Sequence, residues 1–198
     1  MRHIVIATGN PDKFREIKAI LSDLPVDFVS LKGISLPEET GKRLTENAIK
    51  KAEAVAKLTN KVSIADDTGL EVDALNGLPG VYSARFAGPN GSYKANRKKL
   101  LKLLNSYPLE QRKAKFRCVV AVTGIFGEPT RVFEGKIDGY ITKEEKGTSG
   151  FGYDSIFLIP EIGKTFAEIP TSLKNQISHR TLALLKLKEY LKNKYLNA

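Results

Sequence analysis

The chain has 198 residues, enough for one large domain or two lobes on a shared core, and no apolar run approaches the length of a membrane span. Its 32 basic and 22 acidic residues give a formal charge of +10, which favours an anionic partner without choosing among nucleotide, nucleic acid and acidic membrane. A single cysteine, Cys118, excludes an internal disulfide and a cysteine-based zinc site, and a soluble cytoplasmic protein is the expectation.

His3 to Ala7 is a short apolar run that reads as a first strand rather than a secretory leader. Asn10 then stands as a helix N-cap with Pro11 at the first helical position, and Phe14, Ile17, Leu21 and Leu24 keep helical spacing. Val26 to Leu31 reads as a second strand. Leu44 to Thr59 reads as a helix with Ala48, Ile49, Ala52 and Ala56 inward, and Val62 to Ala65 as a third strand. Strands alternating with helices predict parallel pairing and an α/β core. After the turn-rich Asn76-Gly77-Leu78-Pro79-Gly80 comes a basic helix over 92–105 that buries Leu100, Leu101 and Leu104. Lys115 to Phe126 and Thr130 to Ile141 read as a hairpin about Gly127-Glu128-Pro129. A short strand covers Ser155 to Ile159, and Ser178 caps a last helix whose core face carries Leu184, Leu187 and Leu191. The expected architecture is α/β: an elongated mixed β-sheet with helices at both ends, a single domain over residues 1–198, with two lobes around a central groove.

Chemistry concentrates in a few places. Ile64-Ala65-Asp66-Asp67-Thr68-Gly69 runs from apolar strand into two adjacent acids, and burying such acids is costly unless a cation or donor faces them. Glu38 and Glu39 follow the second strand. With Asp67, Glu38 offers the hard oxygen ligands that magnesium takes, whereas Glu39 reads as a loop surface charge. Thr8-Gly9-Asn10-Pro11-Asp12-Lys13 joins a strand end to a helix N-terminus, a geometry that suits phosphate, although it lacks the Gly-x4-Gly-Lys-Ser/Thr pattern and an ordinary strand-to-helix turn explains it equally well. Phe151-Gly152-Tyr153-Asp154 sets two aromatic rings among glycines, which suits stacking on a base; core packing is the alternative. Lys174 and Ser178-His179-Arg180 cluster donors near the start of the last helix.

In register, these segments resemble the inosine triphosphatase family, the Ham1-like purine nucleoside triphosphate pyrophosphatases. Thr8 to Lys13, Ala65 to Leu70 with Gly80-Val81-Tyr82-Ser83-Ala84-Arg85, Phe151 to Asp154, and Ser178 to Arg180 carry the likeness, which covers essentially the whole chain. The resemblance implies hydrolysis of non-standard purine nucleoside triphosphates (ITP, dITP, XTP) to the monophosphate and pyrophosphate, cleansing the nucleotide pool. It implies that Thr8, Gly9, Asn10, Pro11, Asp12 and Lys13 bind the triphosphate and that Thr68 touches the nucleotide. Glu38 and Asp67 are implied to ligate Mg2+, with Asp67 also the proton acceptor. Phe151, Gly152, Tyr153, Asp154, Lys174, His179 and Arg180 are implied to form the base pocket. A homodimer is implied, with no membrane and no stable nucleic-acid partner. Thr68 stands where a serine is usual and Ser155 where a proline is usual. The competing readings are a basic nucleic-acid-binding protein and a nucleotide sensor without hydrolysis. The first leaves Asp66 and Asp67 unexplained.

Overall fold

The computed structural model describes residues 2–31, 33 and 35–196. The opening follows the alternation of apolar runs. β1 (Arg2–Ile6), α1 (Pro11–Ile20), β2 (Val26–Ser30), α2 (Leu44–Thr59) and β3 (Val62–Val72) succeed one another. β1 pairs in parallel with β2, from Arg2↔Val26 to Ile6↔Ser30, and with β3, from Ile4↔Val62 to Ile6↔Ile64. Asn10 caps α1 as expected: its Oδ1 accepts from the amides of Asp12 (2.9 Å) and Lys13 (3.3 Å). α2 ends at Asn60, which turns left-handed at φ 52° and returns its amide to Ala56.

Two differences in this half matter for the site. β3 does not stop at Ala65 but runs on through Asp66, Asp67 and Thr68 to Val72. The buried stripe of α2 is Leu44, Asn47, Ala48, Lys51, Ala52 and Val55, so it includes an amide and an ammonium, while Ile49 and Ala56 are only half-buried.

The sheet continues with β4 (Pro79–Gly80), β5 (Lys113–Thr123), β6 (Arg131–Ile141), β7 (Phe157–Ile159) and β8 (Lys164–Thr165). Among the described residues it has the strand order β2-β1-β3-β5-β6-β7-β8, with β4 antiparallel to β3. It is an open mixed sheet, in line with the expected α/β class. The turn between β5 and β6 is longer than the sequence suggests, and Phe126, expected at a strand end, is fully exposed there. α3 (Tyr93–Leu103) is capped by Ser92, whose Oγ accepts from the Ala95 amide at 3.1 Å. Leu100 and Leu104 are buried as expected, Leu104 as the residue that ends the helix, while Leu101 is half-buried. α4 (Thr171–Ile177) has no counterpart in the sequence reading, and the last helix, α5 (His179–Leu191), begins after Ser178. No helix among the described residues is long and apolar enough to cross a membrane.

The chain forms two compact units. The first comprises Met1–Asp67, Cys118–Gly135 and His179–Ala198, and the second Thr68–Arg117 and Lys136–Ser178. In the first, Ile4, Ile6, Ile64, Cys118, Val120 and Leu187 form a core with Ile17 and Leu21 of α1. Each such buried aliphatic side chain contributes about 1.5–3 kcal/mol. Gly135 on β6 lets α5 come close, since a Cβ there would collide with the His179 carbonyl and the Ala183 amide. That contact fixes where α5 starts, and hence where His179 and Arg180 are presented. In the second unit, Phe116, Phe157 and Phe166 pack together, with the Phe157 and Phe166 rings stacked at 5.5 Å.

Candidate active site

The parallel ladder between β1 and β3 ends at Ile64, whose carbonyl takes the Ala7 amide at 2.7 Å. Asp66 and Asp67 come next on β3, and successive side chains on a strand point to opposite faces. The two acids therefore do not confront each other. Asp66 faces α1 and α5, and Asp67 faces α2.

Asp66, 1% exposed, meets Lys13 Nζ at 3.0 Å and Arg180 Nη2 at 3.3 Å; Arg180, also 1% exposed, is shared with Glu16. Burial alone raises a carboxyl pKa, but Lys13, Arg180 and Lys51 outweigh it and hold Asp66 well below the usual carboxylate range. The sequence reading gave Lys13 to an incoming phosphate. In the structure its ammonium lies on a buried carboxylate, and the amides of Asp12 and Lys13 are taken by the Asn10 cap. Thr8 contributes its Oγ1 to the Asn10 amide at 3.2 Å. Gly9 and Pro11 are exposed, and Asp12 pairs with Arg15.

Asp67, 5% exposed, accepts from Asn47 Nδ2 at 3.0 Å and lies 3.5 Å from Lys51 Nζ. The Lys51 ammonium also reaches Glu39 Oε1 (2.6 Å) and the Asp66 carbonyl (2.7 Å). Asn47 is itself oriented by the Gly41 amide, at 2.8 Å from its Oδ1. Burial pushes the Asp67 carboxyl up and Lys51 and Lys13 pull it down, with a net rise. For Lys51, burial lowers the pKa, but Asp67, Asp66 and Glu39 outweigh it and hold the ammonium charged.

Glu39, read from the sequence as a surface charge, is thus the loop acid that shares a cation with Asp67. Glu38 is exposed, and its carbonyl accepts from Lys50 Nζ at 2.8 Å. Among the described residues no group of three or more His, Cys, Asp or Glu side chains is arranged to hold a metal ion. Asn47 and Lys51 escaped the sequence reading. Their signal was present, because polar residues four apart on the buried stripe of a helix face a partner.

The second unit carries the aromatic motif. Asp154 is 4% exposed and looks inward: its Oδ2 accepts from the Phe151 amide (2.8 Å) and from Lys174 Nζ (2.5 Å). Lys174 in turn lies over the Phe151 ring, 4.7 Å from its centre, and over Phe166 at 5.7 Å. Tyr153 is 5% exposed, its hydroxyl donates to the Ser83 carbonyl at 2.8 Å, and burial pushes its pKa up. Tyr153 is therefore a core residue, whereas Phe151 is half-buried. Thr68 follows Asp67 on β3 and is half-buried; His179, 3% exposed, opens α5. Gly150 has φ +75°, and a Cβ there would drive into the Asp154 carboxylate. Gly150→Ala is accordingly expected to destabilise the protein by about 1–3 kcal/mol, read as a shifted urea midpoint. An unchanged midpoint would show that the turn adapts without cost.

Residues 4–190 match the family described as the Ham1 family. The chain is 50% identical over 194 residues to the dITP/XTP pyrophosphatase of Bacillus subtilis, covering 96% of this chain and 98% of that protein. It is 49% identical to the protein of the same name from Bacillus licheniformis, with the same coverage of both chains. Among solved structures it resembles the Staphylococcus aureus Ham1 protein (TM-score 0.85, 43% identity, 97% of this chain and 99% of that one). It also resembles a HAM1 protein from Coxiella burnetii (TM-score 0.87, 40% identity, 98% of this chain and 100% of that one).

Proposed function

Because the chain belongs to the Ham1 family, we propose that it is a pyrophosphatase that hydrolyses purine nucleoside triphosphates of the dITP, XTP and ITP type to the monophosphate and pyrophosphate. One observation carries the residue assignment: Asp67 is a buried carboxylate with a raised pKa, held by Asn47 and Lys51 opposite a second carboxylate, Glu39. A free carboxylate, with a pKa near 4, is a weak base, and a raised value brings it closer to useful strength.

The donor set fits a hard divalent cation such as Mg2+, since Asp67 and Glu39 present carboxylate oxygens around one shared positive charge. In the described cluster the carboxylates of Glu16, Glu39, Asp66 and Asp67 outnumber the cations Lys13, Lys51 and Arg180 by one. A divalent ion reverses that sign and makes the cluster attractive to a polyphosphate. We assign the metal to Asp67 with Glu39, in preference to Glu38, whose carboxylate shares no ion pair with the cluster among the described residues. When bound, magnesium supplies charge neutralisation and acidifies a coordinated water.

Asp67 accepts the proton of the attacking water. Asn47 and Lys51 keep its carboxylate in one orientation, and Lys13, fixed by Asp66, offers its remaining N–H groups to the phosphates together with the Thr8–Lys13 turn. Phosphoanhydride hydrolysis needs little else than positioning and charge neutralisation. Phe151, carried by Gly152, Asp154 and Lys174, is assigned to stacking on the base, and Thr68 and His179 to the nucleotide. Arg180 is assigned to holding Asp66. Preference for a 6-oxo base over a 6-amino base follows from donors that an amino group cannot satisfy, at about 1–3 kcal/mol for each donor left unpaired. The homodimer and the cytoplasmic setting implied by the resemblance belong to the same reading.

The direct test is pyrophosphate release from dITP, XTP, ITP and ATP, with magnesium and with excess EDTA. Magnesium-dependent release from the first three, with ATP at least about tenfold poorer in kcat/KM, is the expected result. Equal rates on all four, or release that survives EDTA, would reject it.

A further inference from the structure

α3 is a basic helix whose Lys94 and Lys98 are exposed, yet Arg97 between them is turned inward with a side chain only 17% exposed. Its guanidinium spans two acceptors. Nε lies 2.9 Å from Glu145 Oε2, and Nη1 donates to the Gly152 carbonyl at 2.8 Å. The same Glu145 oxygen accepts from Ser155 Oγ at 3.1 Å, and the Lys146 amide returns to the Ser155 carbonyl at 2.7 Å. The turn carrying Phe151 is thus gripped on one side by Asp154 and Lys174 and on the other by Arg97 and Glu145. One helical turn before Arg97, the Tyr93 ring lies 5.9 Å from the Phe151 ring. A cavity of about 140 Å3 opens beside Arg97, Glu145 and Phe151.

We propose that Arg97 is a positioning residue for substrate recognition: through Glu145, Ser155 and the Gly152 carbonyl it fixes the turn that presents the Phe151 ring to the base. The proposal rests on the assignment of Phe151 to the base. It draws on the planar fork of arginine, which reaches a carboxylate and a carbonyl together; the point charge of lysine holds one of them. No part of it touches the phosphates or the acid cluster, so its loss acts on KM and not on the chemical step.

The experiment compares wild type, R97A, R97K and R97A/S155P. Ser155 lies in the first turn of a short 3-10 segment, Asp154–Ile156, where an N–H has no partner within the segment and proline is tolerated. The added ring gives up the Ser155 Oγ bond to Glu145 but stiffens the turn through the backbone, without the guanidinium. For R97A the KM for dITP is expected to rise about tenfold while kcat stays within about twofold, and amide exchange over 147–153 to quicken about tenfold or more. R97K is expected to follow R97A, and R97A/S155P to recover most of the lost KM. Unchanged exchange in R97A would overturn the clasp itself. Faster exchange with an unchanged KM would instead overturn the assignment of Phe151 to the base. A fall in kcat with KM constant would overturn the positioning role.

Discussion

Asp67→Asn is expected to reduce kcat by at least about a thousandfold, the scale of removing a positioned general base, while dITP still binds. The substitution keeps the shape of the side chain and removes its charge and its capacity to take a proton. Lys51 keeps Glu39 and the Asp66 carbonyl, so the cluster retains two of the three contacts of its ammonium. Folding is therefore spared, and a thermal melt close to wild type separates lost chemistry from lost structure. The pH profile gives a second readout. Burial holds the Asp67 carboxyl above its ordinary value against the pull of Lys51 and Lys13. Protonation disables the base, so kcat/KM of the wild type falls as the pH drops, and at subsaturating magnesium, where it reports the metal-free enzyme, the acid limb lies above pH ~4, where a free aspartate titrates. Turnover by the variant within about tenfold of wild type, or an unshifted acid limb in the wild type, would remove Asp67 from the role.

Arg180→Ala is expected to be the most destabilising of the changes considered, at about 3–5 kcal/mol. The guanidinium is 1% exposed and lies between Glu16 and Asp66, and its own pKa is driven further up by those carboxylates against the cost of burial. Alanine leaves Glu16 buried without that partner and Asp66 with Lys13 as its remaining direct ion pair from the described set. A melting point lower by about 6–20 °C follows for a chain of this size. The acid dependence has a definite sign. Asp66 titrates below its unfolded value of about 4, so its contribution is complete above that pH and declines as the pH falls below it. A melting point within about 2 °C of wild type, together with a lost preference for dITP over ATP, would return Arg180 to the base.

The parallel half of the sheet was legible because its signals are local. The apolar runs of β1 and β2, the Asn10 cap and the helical spacing of α1 each speak for themselves, and a strand-helix alternation leaves few topologies. The length of β3 was not legible. Two aspartates and a glycine argue against a buried strand, and it is Lys13, Arg180, Lys51 and Asn47, distant in sequence, that make the burial of the acids acceptable. The same limit explains Glu38 and Glu39. In an irregular loop no period says which of two adjacent acids turns inward, and the answer depends on where Lys51 lies on α2. α4 escaped because seven residues after Pro170 carry little helical pattern. Phe126 reads as the end of a strand because the turn signal Gly127-Glu128-Pro129 begins one residue later, whereas the strand already stops at Thr123, before the left-handed Gly124 (φ 86°), and leaves the ring in water.

The arrangement of the chain through the two units has a consequence for anyone wishing to study either alone. The first unit is stitched from three stretches of chain and the second from two, and β3, β5 and β6 each begin in one and finish in the other. No single scissile site liberates one half, and no contiguous gene fragment encodes one. One proteolytic cut therefore does not separate the units, and a truncated transcript yields strands whose neighbours are missing. α5 completes a core that β1 begins, so that core draws on both ends of the described chain.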